Sequence, residues 1–245
     1  MNLPNNPTYS NGRTVKARKL QYLPRPADDE VFEYCREGQP AYILTSPQMG
    51  KSSILARTAE RLKQASCHPI ILDLSQFPLP PREEDWFKKI VFHIENSLDL
   101  TEDTMEWWDR HDSEPPAERL TTFIEDVLLA ELSGSVIFLF DEIEQTFTAP
   151  FRVGFFAWLA SLYEARNTNP IFERVTFVLC GVATPRQLIP DDSLSLFEWS
   201  KEVVLSDFTL EEALPLADSL SLPNEAGKNV IAWVHRWTNG HPYLT

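Results

Sequence analysis

One segment constrains the fold of this chain more than any other: a short apolar run, a loop and the start of a helix. The run Ala41-Tyr42-Ile43-Leu44 is of strand type, and from Lys51 apolar residues recur at helical spacing. The loop between them ends in Gly50-Lys51-Ser52. Phosphate binding needs a glycine where the backbone approaches closely, a lysine for the phosphate oxygens and a hydroxyl for Mg²⁺. The segment therefore predicts a phosphate-binding loop, residues 45–52.

One position of this loop departs from the usual G-x-x-x-x-G-K-[ST] pattern. Thr45 stands where the pattern has its first glycine. That position opens the turn and does not touch phosphate, so we expect the change to be tolerated. Because a bare Gly-Lys-Ser/Thr arises by chance in about one chain in ten of this length, a second feature has to support the assignment.

A matching acidic strand supplies that second feature. Val136–Phe140 is continuously apolar, as a central parallel strand should be, and Asp141-Glu142 follows it. In P-loop enzymes such an aspartate reaches the Mg²⁺ shell, and the next glutamate can orient or deprotonate the attacking water. A carboxylate pair can also simply end a strand at the surface, but its pairing with the loop favours a nucleotide site. Glu144 is interpreted as a surface residue.

A further strand end offers two more candidates. Val175–Leu179 reads as a strand, and the segment after it contains Thr184 and Arg186. In a parallel sheet the carboxyl ends of strands face the ligand crevice. Thr184 is the first candidate to touch the γ-phosphate or its water, and Arg186 the second; both could equally be plain loop residues.

The order of elements along the chain predicts the fold class. Strands alternate with helices, which indicates α/β architecture, a parallel sheet with helices on both faces in three αβα layers. The predicted strands are 41–44, 69–74, 136–140, 175–179 and 202–205. The predicted helices are 28–37, 51 onward, 86–98, 117–132, 153–165, 210–220 and 226–237, with a turn at 78–81. The predicted organisation is a polar leader or linker (1–24), a core (25–208) and a helical appendage (209–245).

Composition excludes several other classes. Lys and Arg number 22 against 36 Asp and Glu, so the formal net charge is −14 and binding to nucleic acid or anionic lipid is disfavoured. The exception is a local basic cluster, Arg13 to Lys19. No apolar run is long enough to span a bilayer, and the start lacks the pattern of a signal peptide. The three cysteines form no disulfide framework. We expect a cytoplasmic location.

Five segments together resemble a known family. They are Tyr22-Leu23-Pro24-Arg25-Pro26-Ala27-Asp28, Thr45-Ser46-Pro47-Gln48-Met49-Gly50-Lys51-Ser52-Ser53, Phe140-Asp141-Glu142, Gly181-Val182-Ala183-Thr184-Pro185 and Asn239-Gly240-His241-Pro242-Tyr243-Leu244. They look like the AAA-like ATPase domain of bacterial signalling NTPases of the STAND group, relatives of the NB-ARC and NACHT switch domains. The resemblance covers about residues 20 to 245. It implies a P-loop NTPase fold of the ASCE/RecA-like class, followed by the start of a C-terminal helical lid that the chain truncates.

The resemblance also implies roles for individual residues. ATP or ADP would be bound by Arg25, Ser46, Pro47, Gln48, Met49, Gly50, Lys51, Ser52, Ser53 and Pro242. Arg25 would pack near the adenine, and Pro242 would let the lid report the state of the nucleotide. Mg²⁺ would be held by Ser52 and Asp141. The catalytic residues would be Glu142, Lys51 and Thr184, with Thr184 at the sensor position.

The expected function is an ATP-binding, slowly hydrolysing switch that oligomerises with itself on ATP binding. In the family the domain sits between an effector module and a ligand-sensing repeat array, and we expect both to be missing from this chain, which would be a fragment. Two alternatives stay open. One is a scaffold that binds nucleotide or partners without hydrolysis. The other is a DNA-linked ATPase, which the acidic charge disfavours.

Overall fold

The computed structural model describes residues 22–77, 82–189 and 196–245. Its strands are β1 (Ala41–Leu44), β2 (His68–Asp73), β3 (Val136–Asp141), β4 (Val175–Gly181) and β5 (Lys201–Glu202). They form one parallel sheet in the order β2-β3-β4-β1-β5. The phosphate-binding-loop strand β1 and the acidic strand β3 therefore both border β4.

Helices surround this sheet. They are α1 (Pro26–Arg36), α2 (Lys51–Gln64), α3 (Glu83–Ser97), α4 (Thr104–Arg110), α5 (Pro116–Phe123), α6 (Leu129–Glu131), α7 (Arg152–Glu164), α8 (Pro185–Leu188), α9 (Leu196–Trp199), α10 (Leu210–Ala213) and α11 (Asn224–Thr238). A π-helical segment, Ile124–Leu128, joins α5 to α6, and short 3₁₀ segments cover Leu74–Gln76, Ile143–Thr148, Ala165–Asn167, Pro170–Arg174 and Leu214–Leu220. None of the helices in the described ranges is both long and apolar enough to cross a membrane.

Alternation along the central strands creates the three layers. In β3, Phe138 and Phe140 face a core shared with α3, α5 and α7, whereas Ile137 and Leu139 face a core shared with α1 and α2. Successive side chains of a strand point to opposite faces, so a strand that is apolar throughout must be covered on both sides. All residues of β3 are buried. The predicted three-layer parallel α/β arrangement is confirmed.

Several predicted boundaries differ from the structure for local reasons. Helix α1 begins at Pro26 instead of residue 28, because Arg25 is its N-cap and the Asp28 carboxylate accepts a hydrogen bond from Arg25 N at 2.8 Å. The predicted helix 117–132 is interrupted by the π segment. Helix α4, capped by Asp103, was not predicted because seven residues show too little periodicity. The last strand is residues 201–202 instead of 202–205. The predicted turn at 78–81 and most of the leader, residues 1–21, lie outside the described residues.

The helical appendage follows the sheet and packs with two residues that precede it, Leu23 and Phe208, in a small separate core. That core consists of Leu23, Phe208, Ala213, Ala217 and Ile231. The predicted helix 210–220 is α-helical only to Ala213 and continues as a 3₁₀ segment. Pro215 interrupts the α-helix at this point, because it has no N–H to donate to the carbonyl of residue 211 and its ring clashes with that carbonyl.

Candidate functional site

The sheet order brings the predicted site segments to one edge. The loop after β1, the acidic pair after β3 and the segment after β4 all leave the carboxyl ends of adjacent strands. Thr45 N donates to Gly181 O at 3.1 Å, which holds the start of the phosphate-binding loop beside the end of β4. This edge is where ligands bind in open α/β sheets.

The phosphate-binding loop has the backbone of an anion site. Gly50 is the N-cap of α2 with φ of 88°, and a Cβ there would lie 2.4 Å from Arg25 Nη2. Glycine is therefore required by both conformation and space. Ser46, Pro47 and Gln48 are exposed, whereas the Met49 side chain is buried in the α1/α2 core. The loop thus presents its polar residues outward and delivers the helix N-terminus to the edge of the sheet.

Lys51 is buried at this edge, with 6% of its surface exposed. Its ammonium donates to Ser46 O at 2.8 Å and to Thr45 O at 3.2 Å. Burial lowers the pKa of Lys51, and the negative charge of nearby carboxylates, Glu144 foremost, acts against that shift. The ammonium is held by its own loop, where phosphate oxygens could replace the carbonyl acceptors.

Ser52 and Asp141 form a hydrogen-bonded pair across the site. Burial raises the pKa of Asp141, while the hydrogen bond from the Ser52 side chain opposes the rise. Glu142 N also donates to Asp141 Oδ1, at 3.0 Å. A hydroxyl beside a carboxylate supplies two hard oxygen ligands to one point, which is the donor chemistry that Mg²⁺ prefers. These two residues fit the predicted metal site.

Glu142 stands next to this pair in an unusual backbone conformation. Its φ is 57°, in the left-handed region that few non-glycine residues adopt. Burial first, then a hydrogen bond with Glu144 and the charges of Glu144 and Asp141, raise the pKa of Glu142 to about 7. A carboxylate that takes up a proton near neutral pH suits a general base.

The interpretation of Glu144 as a surface residue is wrong. Glu144 lies in the 3₁₀ segment that follows Glu142, and this segment returns it to the end of β4. There its half-buried carboxylate accepts a hydrogen bond from Val182 N at 2.9 Å. The close approach depends on Gly181, where a Cβ would lie 2.4 Å from Glu144 Oε2. The glycine that ends β4 was the one signal in the sequence that could have indicated a neighbour there.

Thr184 and Arg186 both lie on the solvent side of the segment after β4. Thr184 is exposed and N-caps α8: its hydroxyl accepts from Gln187 N at 3.3 Å and donates to Gln187 Oε1 at 3.1 Å. Arg186 is exposed as well. Across the described ranges no hydrogen bond joins either residue to the phosphate-binding loop, and their roles stay predictions.

Arg25 lies against the phosphate-binding loop. Its side chain is buried, with 8% exposed, and Nη2 donates to Met49 O at 2.6 Å. The guanidinium lies over the ring of Phe208, 4.9 Å from its centroid. Burial lowers the pKa of Arg25. The predicted contact with adenine stays a prediction, and the hold on the loop backbone is a role that the sequence did not suggest.

Pro242 belongs to the turn after α11. It is half-buried, and the neighbouring Gly240 O accepts from Phe208 N at 2.8 Å. A Cβ at Gly240 would lie 1.9 Å from Phe208 O. Through Gly240, the Gly240-His241-Pro242 element therefore packs against Phe208, the residue whose ring contacts Arg25.

Comparisons with known proteins agree with this architecture. The chain is similar to ORC2 of Aeropyrum pernix, solved in ADPNP–ADP complexes (10% identity, TM-score 0.64, 96% of this chain and 61% of that one). It is also similar to a Walker-type ATPase of Pyrococcus abyssi (16% identity, TM-score 0.61, 94% and 67%). A third similar structure is ORC1 of Aeropyrum pernix in complex with DNA (14% identity, TM-score 0.53, 91% and 58%). These similarities confirm the P-loop NTPase fold.

Sequence comparison adds the family. The chain is 28% identical over 249 residues to an uncharacterised WD repeat-containing protein of Synechocystis sp., and it spans 21% of that relative's length. The family model of the AAA-like domain matches residues 11–245. The phosphate-binding loop and the end of the acidic strand lie at the same edge of the sheet, in agreement with this match. The chain belongs to the AAA-like domain family.

Proposed function

We propose that this chain binds ATP or ADP with Mg²⁺ and acts as a slowly hydrolysing, nucleotide-dependent signalling switch of the STAND type. The observation that carries the proposal is the meeting of Lys51 with the Ser52–Asp141 pair at the carboxyl edge of the sheet. Among the described residues the buried Lys51 ammonium finds only backbone carbonyls as acceptors, which suits it to an anionic ligand.

Each group has a defined task in this proposal. Gly50 and the first amides of α2 would receive the phosphates together with Lys51. Ser52 and Asp141 would hold Mg²⁺, which neutralises phosphate charge when bound. Glu142 would orient water and accept its proton. The pKa of Glu142, raised to about 7, suits a proton transfer near neutral pH.

The switch role is supported by the resemblance and by the relative. STAND proteins join the ATPase domain to repeat arrays, and the Synechocystis relative is named for its WD repeats. Low turnover is implied by the resemblance to switch proteins, and Arg186, exposed in the segment after β4, is the candidate for an arginine finger. We include in the proposal a cytoplasmic location and self-association on ATP binding.

Calorimetric titration with ADP and with ATP, Mg²⁺ present, tests binding. Lys51→Ala should weaken the affinity by about 100-fold, because a charge-assisted contact to phosphate is lost. Lys63→Ala is the matched control, an exposed lysine at the far end of the same helix. Equal affinities for Lys51→Ala and the parent chain would contradict the proposal.

Release of phosphate separates the switch from the scaffold. Glu142→Gln should bind ATP and lose turnover. Tight ATP binding by the parent with no release of phosphate would establish the non-hydrolysing alternative. No binding at all would indicate a pure interaction module.

A DNA-linked ATPase is the second candidate function. The similarity to ORC1, solved with DNA, favours it, so the expectation from net charge that nucleic acid is a disfavoured partner lacks support from the comparisons. The basic cluster Arg13 to Lys19 lies outside the described residues. Retention on DNA that weakens steeply with added salt would support this function, whereas no retention at low salt would contradict it.

A further inference from the structure

We propose that Arg25 is a positioning residue that couples the phosphate-binding loop to the helical appendage. The path runs from the Met49 carbonyl through the Arg25 guanidinium to the Phe208 ring, and we call it the Arg25 bridge. Docking of residues 209–245 then stabilises the loop conformation, and a ligand that orders the loop stabilises docking. The effect of a ligand on docking rests on the proposed nucleotide binding, whereas the effect of docking on the loop does not.

The loop end of the bridge is a tight contact. Arg25 Nη2 donates to Met49 O at 2.6 Å, and the space for a side chain at Gly50 is filled by the same nitrogen. Met49 and Gly50 come directly before Lys51. A change in the position of the guanidinium therefore changes the peptide that leads into the residues predicted to hold phosphate.

At its other end the Arg25 bridge contacts the ring of Phe208, a residue that the appendage holds. The Arg25 guanidinium lies 4.9 Å from the centroid of the Phe208 ring. Phe208 N donates to Gly240 O at 2.8 Å, and Phe208 O lies 2.8 Å from His235 Nε2 of α11. Gly240 has no room for a side chain against Phe208 O. Phe208 is thus held from both sides by the appendage.

The middle of the Arg25 bridge is the buried guanidinium, and hydrogen bonds hold the backbone that carries it. Arg25 N donates to Asp28 Oδ2 at 2.8 Å, and Asp28 N donates to Arg25 O at 3.0 Å. The Tyr22 hydroxyl donates to Asp28 Oδ1 at 2.5 Å, and Arg57 Nε lies 3.6 Å from that oxygen. The backbone of Arg25 therefore has little freedom to follow either of its partners.

The buried charge is what joins the two ends energetically. In the described part of the chain the guanidinium donates only to backbone carbonyls, Met49 O and, at 3.5 Å, Ser206 O, while Nε has no acceptor. The carboxylates of Asp28 and Glu212 balance its charge electrostatically, but a buried guanidinium with so few acceptors depends on each of them, because losing one leaves a donor unsatisfied. Undocking the appendage removes the aromatic face and must weaken the hold on Met49. Such coupling is reciprocal.

Hydrogen exchange of the nucleotide-free protein tests the bridge directly. Phe208→Leu keeps an apolar side chain and removes the aromatic face, and Arg25→Lys removes the forked donor. In both variants the amides of Ser53 and Ile54, which donate to Gly50 O, should exchange about fivefold faster than in the parent. Two control variants should leave this exchange rate unchanged. They are Ile231→Val, in the same small core, and Arg36→Lys, at the exposed end of α1. Unchanged loop exchange in both bridge variants, or equal acceleration in the controls, would overturn the proposal.

A second arm adds ADP and Mg²⁺. In the parent and in Ile231→Val, ADP should slow amide exchange in α11, whereas Phe208→Leu at saturating ADP should show at least threefold less protection there. Full protection of α11 in ADP-bound Phe208→Leu would overturn the bridge. Failure of the parent to bind ADP would count against the proposed function, and loop exchange in the nucleotide-free protein would still decide the bridge.

Discussion

The αβα core and the helical appendage are stabilised in different ways. The core buries large side chains completely, among them Trp86, Trp108 and Phe138. The appendage packs around five buried residues and leaves Trp233 and Trp237 of α11 64% and 75% exposed. Burial of apolar area sets most of the stability of a domain, so the core should hold its structure alone. The appendage contacts the rest of the chain through a few residues at Phe208, so we expect its docking to be a separate, weaker equilibrium.

The largest expected effect tests the core. Phe138→Ala in β3 should lower the free energy of unfolding by about 3–5 kcal/mol, because a fully buried ring packed near Phe140 and Trp158 is lost. Denaturant unfolding measures it. Trp237→Ala is the control from the exposed face of α11, with an expected change within about 0.5 kcal/mol. Similar losses of unfolding free energy for the two variants would contradict the difference between the core and the appendage.

The next effect isolates the appendage. Gly240→Ala should weaken docking by about 2 kcal/mol, since φ is 81° and the new methyl group meets Phe208 O. Amide exchange in α11 should accelerate while exchange in β3 and β4 stays unchanged. Gly154→Ala is the control: its methyl group would meet only the end of the Glu83 side chain, which can move. Simultaneous loosening of the sheet would show that the two regions unfold as one unit.

The smallest effect concerns a charge in the core. The pKa of Glu142 is raised to about 7 in the folded protein, so between the unfolded value near 4.5 and pH 7 the folded state keeps a proton that the unfolded state releases. Stability contributed by that proton is lost as pH rises through this window. Without nucleotide or Mg²⁺, Glu142→Gln should therefore be more stable than the parent by about 1 kcal/mol at pH 8, after discounting for solvent screening, and equal to it at pH 4.

The measurement is global unfolding at the two pH values. Glu225→Gln, on the exposed start of α11, is the matched control and should show no such difference. A gain that appeared only in the exchange of α11 amides would place the effect in the appendage and contradict its assignment to the core.

The parts of the site that were predictable are those that repeat a local pattern. Gly50, Lys51 and Ser52 lie at the start of a helix that follows a strand, with both periodicities visible, and Asp141 follows a run that is apolar throughout. Glu144 was misjudged because a 3₁₀ segment returns it to the end of β4, and no short-range pattern signals that contact. Helix α4 was missed for the related reason that its position comes from buried Trp107 and Trp108, not from a repeated stripe.

The sequence by itself determined the phosphate-binding loop, the acidic strand end and the parallel α/β class, because local propensity and hydrophobic period decide those features within a few residues. Only the tertiary structure decided that β4 separates β1 from β3, that Glu144 joins the site and that Arg25 connects Met49 to Phe208. Each of these depends on segments far apart in the chain. Their juxtaposition is set by burial of whole faces against one another, which no single segment encodes.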